Sequence, residues 1–336
     1  MPKRQIPGAD EGGVFHVTSR VVDRRMIFEE EEKRRFLWLA KAYGAFGGLE
    51  LVTWCVMGNH FHLLVRVPPG SGRRSMALTE EQVLARMARI YSKSEMEDFR
   101  CVLGACGRAE GRKALLDVHR RRMGRLPVMM QGIKQRFSRW YNLSTNRKGT
   151  LWEERYHCVV IQERLPDGHE TGLGRLAEVV AAYIDLNPLR AGLVEVADAY
   201  EWSGHGAACR GDWVAAAGQR LLHGVNKRGI RWCTRLAREM HESLLAAEWE
   251  GVCARTGRRG GAAAVRQGVF SGAHVLGSAA YVRKLRGHTP GGKPRVGRKL
   301  EGLACDMEGW SPRAYGARHD SGGGGCVLKN PGKGAG

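Results

Sequence analysis

The stretch VTWCVMGNHFHLLVRVPP, residues 52–69, restricts what this chain can fold into more than any other segment. It reads as two apolar strands, Leu49 to Cys55 and His60 to Val67, about four residues apart and joined through VMGN, with Gly58-Asn59 as the turn signal. Side chains alternate across a strand, so His60 and His62 stand side by side on one face while Phe61 points to the other. Two adjacent imidazoles can be a metal clip, a pair of phosphate contacts or two polar residues at a sheet edge. Two imidazoles alone make an incomplete site for a divalent metal.

The flanking sequence supplies the rest of a sheet. GGVFHVTSR carries a short strand, Val14 to Ser19, followed by a basic loop. EEEEKRRFLWLAKAYGAFGG reads as a helix with Phe36, Leu37 and Ala40 on its apolar side and Gly47-Gly48 as its stop. After PPGSGRRS come a helical stretch, TEEQVLARMARIYSKSEMEDFRCVLGAC, a dense basic run, and a second helix, VMMQGIKQRFSRWYN. The turn LSTNRKGT leads to a strand, YHCVVIQ, and then to the helix GRLAEVVAAYIDLNP, closed by Pro188. This order predicts an α+β fold of the split β-α-β kind, with an antiparallel sheet and an insertion between its third and fourth strands. Beyond about residue 205 a basic, mainly helical extension follows, and the Gly-rich segment from Gly316 reads as disordered. No internal repeat is visible.

Charge narrows the partner. The chain has 54 Lys plus Arg against 34 Asp plus Glu, a formal net charge of +20 in 336 residues. A field of that size favours phosphate-rich partners through steering and counterion release. Three clusters are candidate phosphate contacts: Arg20, Arg24 and Arg25; Arg120, Arg121, Arg122 and Arg125; and Lys134, Arg136 and Arg139. Arginine offers a rigid multidentate donor face that positions a backbone without reading bases, although each cluster equally fits a solvated charged face. No apolar run approaches the roughly 18 residues of a membrane span. The N-terminus lacks the apolar segment of a secretory signal. Nine scattered cysteines, an odd number, fit reduced thiols in a cytoplasmic protein, and Cys101 and Cys106, the one close pair, read as ordinary thiols.

Tyr183 and Asn187, in AAYIDLNPLRAG, lie four apart on one helical pattern and so on one face. Periodicity alone makes Tyr183 a core aromatic and Asn187 a helix-terminating polar residue before Pro188. A phenol able to attack phosphorus, an amide oxygen and two imidazoles are nevertheless compatible parts for one phosphoryl-transfer reaction. Tyr141, in FSRWYN, reads as packing with Phe137 and Trp140, and Tyr156 as a structural aromatic at a strand start. His16 shares a strand face with Val14 and Thr18 and either approaches the site or caps the sheet. Asp185, two residues from Tyr183, points away from it.

GVFHVTSR, MGNHFHLLVRVP, FSRWYN, GTLWEERYHCVVI and YIDLNPLRAGLV, in that order, resemble the REP-associated tyrosine transposases, relatives of the single-tyrosine insertion-sequence transposases. The resemblance covers about residues 5–205. It implies a ferredoxin-like antiparallel sheet with helices on one side, acting on single-stranded DNA, often at a hairpin formed by a palindromic repeat. Residue by residue, His60 and His62 match the metal-binding histidines of the central strand. Tyr183 matches the nucleophile, and Asn187 the third protein ligand. The implied cofactor is Mg²⁺ or Mn²⁺, and the implied activity is cleavage and strand transfer through a 5′-phosphotyrosine. A basic helical insertion at about 98–127 and the reading RFSRWYN, where many relatives have RYxxYFN, depart from the pattern. The expected organisation is a catalytic domain over 1–205, an extension over 206–315 and a tail over 316–336. The expected setting is a cytoplasmic, nucleoid-associated monomer or homodimer with single-stranded or hairpin DNA as partner and no membrane. The alternatives are a non-catalytic binder of structured single-stranded DNA or RNA, and a metal-dependent nuclease that uses water.

Overall fold

The computed structural model describes residues 11–163, 172–225, 230–256, 275–276 and 281. The expected tail over 316–336, and most of the extension after residue 256, lie outside these. Four antiparallel strands, β1 (Gly13–Arg20), β2 (Glu50–Val56), β3 (His60–Val67) and β4 (His157–Ile161), lie in the spatial order β2-β3-β1-β4. A two-residue strand, β5 (Val275–Leu276), adds in parallel to the outer edge of β4. The helix α1 (Glu30–Gly47) connects β1 to β2, and a tight turn connects β2 to β3. Between β3 and β4 run α2 (Ser71–Met76), α3 (Glu80–Met87), α4 (Lys93–Ala105), α5 (Ala109–Arg120) and α6 (Leu126–Ser144). This is a ferredoxin-like core enlarged between its third and fourth strands.

Local sequence explains most of these boundaries. Glu30, Glu31 and Glu32 in the first turn of α1 complement its dipole, and Gly48, at φ +64°, closes it in the left-handed conformation. The helical stretch after residue 79 divides in two because Thr79 with Gln82, and Ser92 with Glu95, each form a capping box. The expected insertion falls on α4 and α5. On the first face of the sheet, Phe15 and Val17 of β1 and Phe61, Leu63 and Val65 of β3 pack with α1 and α6. An aromatic group organises that layer: the Phe36 and Phe61 rings are 4.4 Å apart, those of Phe28 and Phe137 5.2 Å, and those of Phe61 and Trp152 5.6 Å. Phe137 and Trp152 of FSRWYN and GTLWEERY are therefore core residues.

The expected ferredoxin-like core holds, with α1 and α6 on one side of the sheet. Val14, Leu64, Val159 and Ile161 line its second face and are buried by α7 (Arg175–Asp185) and by α10 (Trp213–His223). The C-terminal helices cover this other face, because an apolar second face needs cover of its own. The short α8 (Asn187–Arg190) and α9 (Gly204–Cys209), with the long α11 (Ile230–Thr256), complete a C-terminal helical bundle. Its anchor is the outer edge of β2: Val56 N–H donates to Trp202 O at 3.1 Å, and Tyr200 Oη donates to Val56 O at 2.7 Å. A register shift between Leu51 and Thr53 bulges β2, and Thr53 reaches α7 on the second face. Among the described residues, no helix is long and apolar enough to cross a membrane.

Candidate functional site

The second face of the sheet carries the histidines. In register, Arg20 of β1 sits opposite His60 of β3, and Thr18 opposite His62. The two rings are 5.1 Å apart and nearly perpendicular. Asn59 Nδ2 donates to Arg24 O at 3.0 Å, which turns Asn59 Oδ1 toward His60 Nδ1 at 2.7 Å. The His60 proton is therefore on Nδ1, and Nε2 keeps its lone pair. Burial pushes His60 down to about 4, helped by the Arg20 cation, and pushes His62 well below its ordinary value, helped by His60 and His16. Both are neutral at pH 7, the form that binds metal.

His16 decides its own ambiguity: it approaches the pair. Its Nε2 is 3.0 Å from His62 Nδ1, and the two rings stack at 5.2 Å. A second polar partner of this kind fixes the tautomer and orientation of a ligating imidazole.

Facing them is α7, whose Ala177, Val180, Ala181 and Ile184 pack on the sheet. Tyr183 presents its ring edge-on to His16 at 6.0 Å and to His62 at 5.8 Å. The Arg190 guanidinium carbon is 4.4 Å from the centre of the tyrosine ring, and Arg190 also donates to Tyr183 O. The sequence reading put Tyr183 and Asn187 on one helix; the structure breaks it at Leu186, with Asn187 opening α8. Pro188 has no N–H for the carbonyl of Ile184, and Asn187 Nδ2 takes that place, donating to Ile184 O at 3.1 Å and to Tyr183 O at 2.9 Å. The amide nitrogen is thereby committed to the helix, and Oδ1 is the atom left for a cation.

A solved structure of a REP-associated tyrosine transposase bound to a REP hairpin is similar to this chain. The TM-score is 0.37 and the identity 13%, over 63% of this chain and 87% of the other. No protein-family model and no curated protein matches. A likeness of that size assigns no activity.

The basic clusters differ in how far they face solvent. Arg20, Arg24 and Arg25 are exposed and flank the His60 end of the sheet, as are Arg121, Arg125 and Arg139 elsewhere. Asp23 and Arg24 hold φ of +56° and +54°, a left-handed conformation that costs non-glycine residues about 1–2 kcal/mol each. Asn59 ties that loop to the histidine strand. Arg120 and Lys134 differ from a solvent-facing cluster. Arg120 donates to Asp117 at 2.8 Å and to Leu78 O, while Lys134 donates to Ser19 Oγ at 2.7 Å and to Glu154 O at 2.6 Å. Arg122 bonds Tyr91 Oη at 2.6 Å, and Arg136 lies over the Tyr43 and Tyr91 rings. Tyr141 stacks with Phe137 at 6.3 Å on the first face, across the sheet from Tyr183, and Tyr156 is buried there too.

Several participants escaped sequence reading. Arg190 follows Tyr183 by seven residues but lies beyond the break at Leu186, so no single helical period flagged it. Asp185 accepts from Thr53 Oγ1 at 2.9 Å, from His205 N–H at 3.1 Å and from His241 Nε2 at 3.0 Å. Beside it, His205, Cys209 and Glu242 bring three donor atoms within 4.8 Å of one another, close enough to chelate one divalent metal. The spacing H-x₃-C in HGAAC was the available signal; Glu242 had none.

Proposed function

We propose that this protein is a metal-dependent single-stranded DNA endonuclease and strand transferase that works through a 5′-phosphotyrosine on Tyr183, with hairpin or palindromic-repeat DNA as substrate. The observation that carries this reading is the edge-on approach of Tyr183 to His62 and His16, within 6.0 Å of both rings. The motif match of YIDLNPLRAG and MGNHFHLLVRVP supports the same assignment. On this reading residues 1–205 form the catalytic domain, and the chain acts as a monomer or homodimer at nucleoid DNA.

His60, His62 and the Asn187 carbonyl oxygen would hold Mg²⁺ or Mn²⁺, which supplies Lewis-acid polarisation of the scissile phosphate. The donor set suits a divalent ion: two imidazoles kept neutral by burial and one amide oxygen not used by the helix. Tyr183 loses its phenolic proton to solvent and its oxygen attacks phosphorus in line. The bond to the 3′-oxygen breaks, and that oxygen takes a proton to become a free 3′-OH. One phosphodiester replaces another, so reversal onto a second strand requires no ATP. Arg190 holds a positive charge against the ring where negative charge develops. Arg20, Arg24 and Arg25, exposed beside His60, steer and position the strand.

End-labelled hairpin substrates with Mg²⁺ or Mn²⁺ test this on denaturing gels. Wild type is expected to give a labelled protein–DNA adduct that maps to Tyr183. Tyr183→Phe is expected to lose the adduct while binding DNA with affinity within about threefold of wild type, about 0.7 kcal/mol. An adduct on Tyr141 would move the nucleophile. Cleavage without adduct would identify a water-using nuclease, and binding with neither would identify a recognition protein.

A further inference from the structure

We propose that His205, Cys209 and Glu242 form a zinc site, separate from the histidines of β3, that fastens α11 to α9. His205 and Cys209 are four apart on α9 and share a face, and Glu242 comes from α11. Cys209 Sγ lies 3.8 Å from His205 Nε2. Tetrahedral zinc, with bonds of about 2.3 Å to sulfur and about 2.0 Å to nitrogen, sets those atoms about 3.5 Å apart. Closing the Cys209–His205 pair onto one ion requires a shift of tenths of an ångström, and the Glu242 carboxylate, within 4.8 Å of both, completes the set.

The surroundings suit zinc in particular. The chemistry is soft at one corner: a thiolate selects zinc over magnesium. Thiolate and carboxylate together carry two negative charges, which balance the ion, and the imidazole stays neutral. Burial and His241 push His205 down to about 4, so its ring is uncharged at pH 7. On binding, the Cys209 thiol proton leaves to solvent. The buried Gln219 amide sits 3.3 Å from His205 Nδ1. Amide oxygen and nitrogen exchange by a simple flip, so Gln219 Oε1 can accept from Nδ1–H and leave Nε2 free for the metal. Glu242 is exposed, which opens a path from solvent, and three protein donors leave one position for water.

The consequence is structural. His241, next to Glu242, bonds Asp185 of α7, and Asp185 also accepts the backbone N–H of His205. A zinc ion joining residue 242 to residues 205 and 209 closes a ring through α7, α9 and α11. It braces the helix that carries Tyr183.

Cobalt is the probe, because Co²⁺ bound to thiolate gives a sulfur-to-metal charge-transfer band in the near ultraviolet. Chelator-stripped, reduced full-length protein is titrated with Co²⁺ in the absence of DNA. The expected result is one equivalent of Co²⁺ carrying that band, apart from any taken up without it at the β3 histidines, displaced by Zn²⁺ and not by Mg²⁺. Cys209→Ser should abolish the band. Glu242→Gln, at an exposed position, should keep native circular dichroism and weaken Zn²⁺ binding about 10-fold or more, and Gln219→Leu should weaken it about 10–100-fold. The double variant His60→Ala/His62→Ala should keep the band. A wild type without the band overturns the site in favour of a plain thiol–imidazole hydrogen bond. A band that survives Cys209→Ser, or disappears with His60 and His62, also overturns it. None of these readouts involves DNA cleavage, so this site and the Tyr183 assignment stand or fall independently.

Discussion

Asp185 is the residue on which the second face of the sheet converges. It is fully buried, and Thr53, His205 and His241 all donate to its carboxylate. From it a chain of hydrogen bonds runs through the buried His241 and His223, 3.3 Å apart, to the half-buried Glu178 at 3.1 Å, returning to α7. With three donors already at its carboxylate, Asp185 acts as a clamp on the helix that carries Tyr183. A different histidine gives a pH test. His119 lies between the rings of Tyr91 and Phe99, and burial, assisted by Arg122, lowers its pKa from the usual 6.5. The unfolded chain therefore takes up that proton first as pH falls. Its contribution to stability is fully present above about 6.5 and declines as pH drops from there toward the lower folded value. Urea denaturation between pH 7 and pH 5 should lose less stability in His119→Phe than in wild type. Equal slopes would remove His119 from the account.

At the scale of elements, glycine records where two backbones meet. A Cβ on Gly218 of α10 would stand 2.2 Å from Val52 O, whereas one on Gly104 of α4 meets nothing within 4 Å. The first contact is with backbone at the bulge of β2 and cannot be relieved by a rotamer change. Gly218→Ala should therefore destabilise the protein by about 1–3 kcal/mol by lifting α10 from the sheet. Gly104→Ala should be neutral or stabilising by up to about 1 kcal/mol, because it only restricts the unfolded chain and favours helix. Thermal or chemical denaturation of the pair measures both signs. A harmless Gly218→Ala would mean that α10 is not held against β2. The bulge has a second effect: Leu51 packs on the first face, and the register shift after it lets Thr53 reach Asp185 on the other.

For the whole molecule the governing quantity is charge. A net +20 is large for 336 residues, yet Arg120, Arg122, Lys134 and Arg136 direct donors or rings into the fold. The exposed arginines beside the β3 histidines are then the natural phosphate contacts of the proposed activity. Affinity for a hairpin oligonucleotide should fall linearly on a log–log plot against salt, with a slope near −0.7 to −0.9 per phosphate neutralised. Substituting Arg20, Arg24 and Arg25 together by serine should reduce that slope by about 2. Fluorescence anisotropy at several salt concentrations reads it directly. A salt-independent affinity, or preference for plain duplex, would refute this surface.

Local rules carried the sequence reading as far as the strand that pairs His60 with His62, the hairpin before it, the Tyr183–Asn187 spacing and the order of elements in the core. Strand alternation, helix period and the Gly47-Gly48 stop act over a few residues, and a chain displays them openly. Contacts between distant segments needed the tertiary structure. His16 meets His62 across 46 residues, Lys134 meets Ser19 across 115, and Thr53 meets Asp185 across 132. No periodicity encodes such pairs, because they depend on which strand edges and helix faces pack together. The same reason hid the cover on the second face of the sheet, and it hid Glu242, which becomes a partner of His205 and Cys209 only when α11 lies across α9.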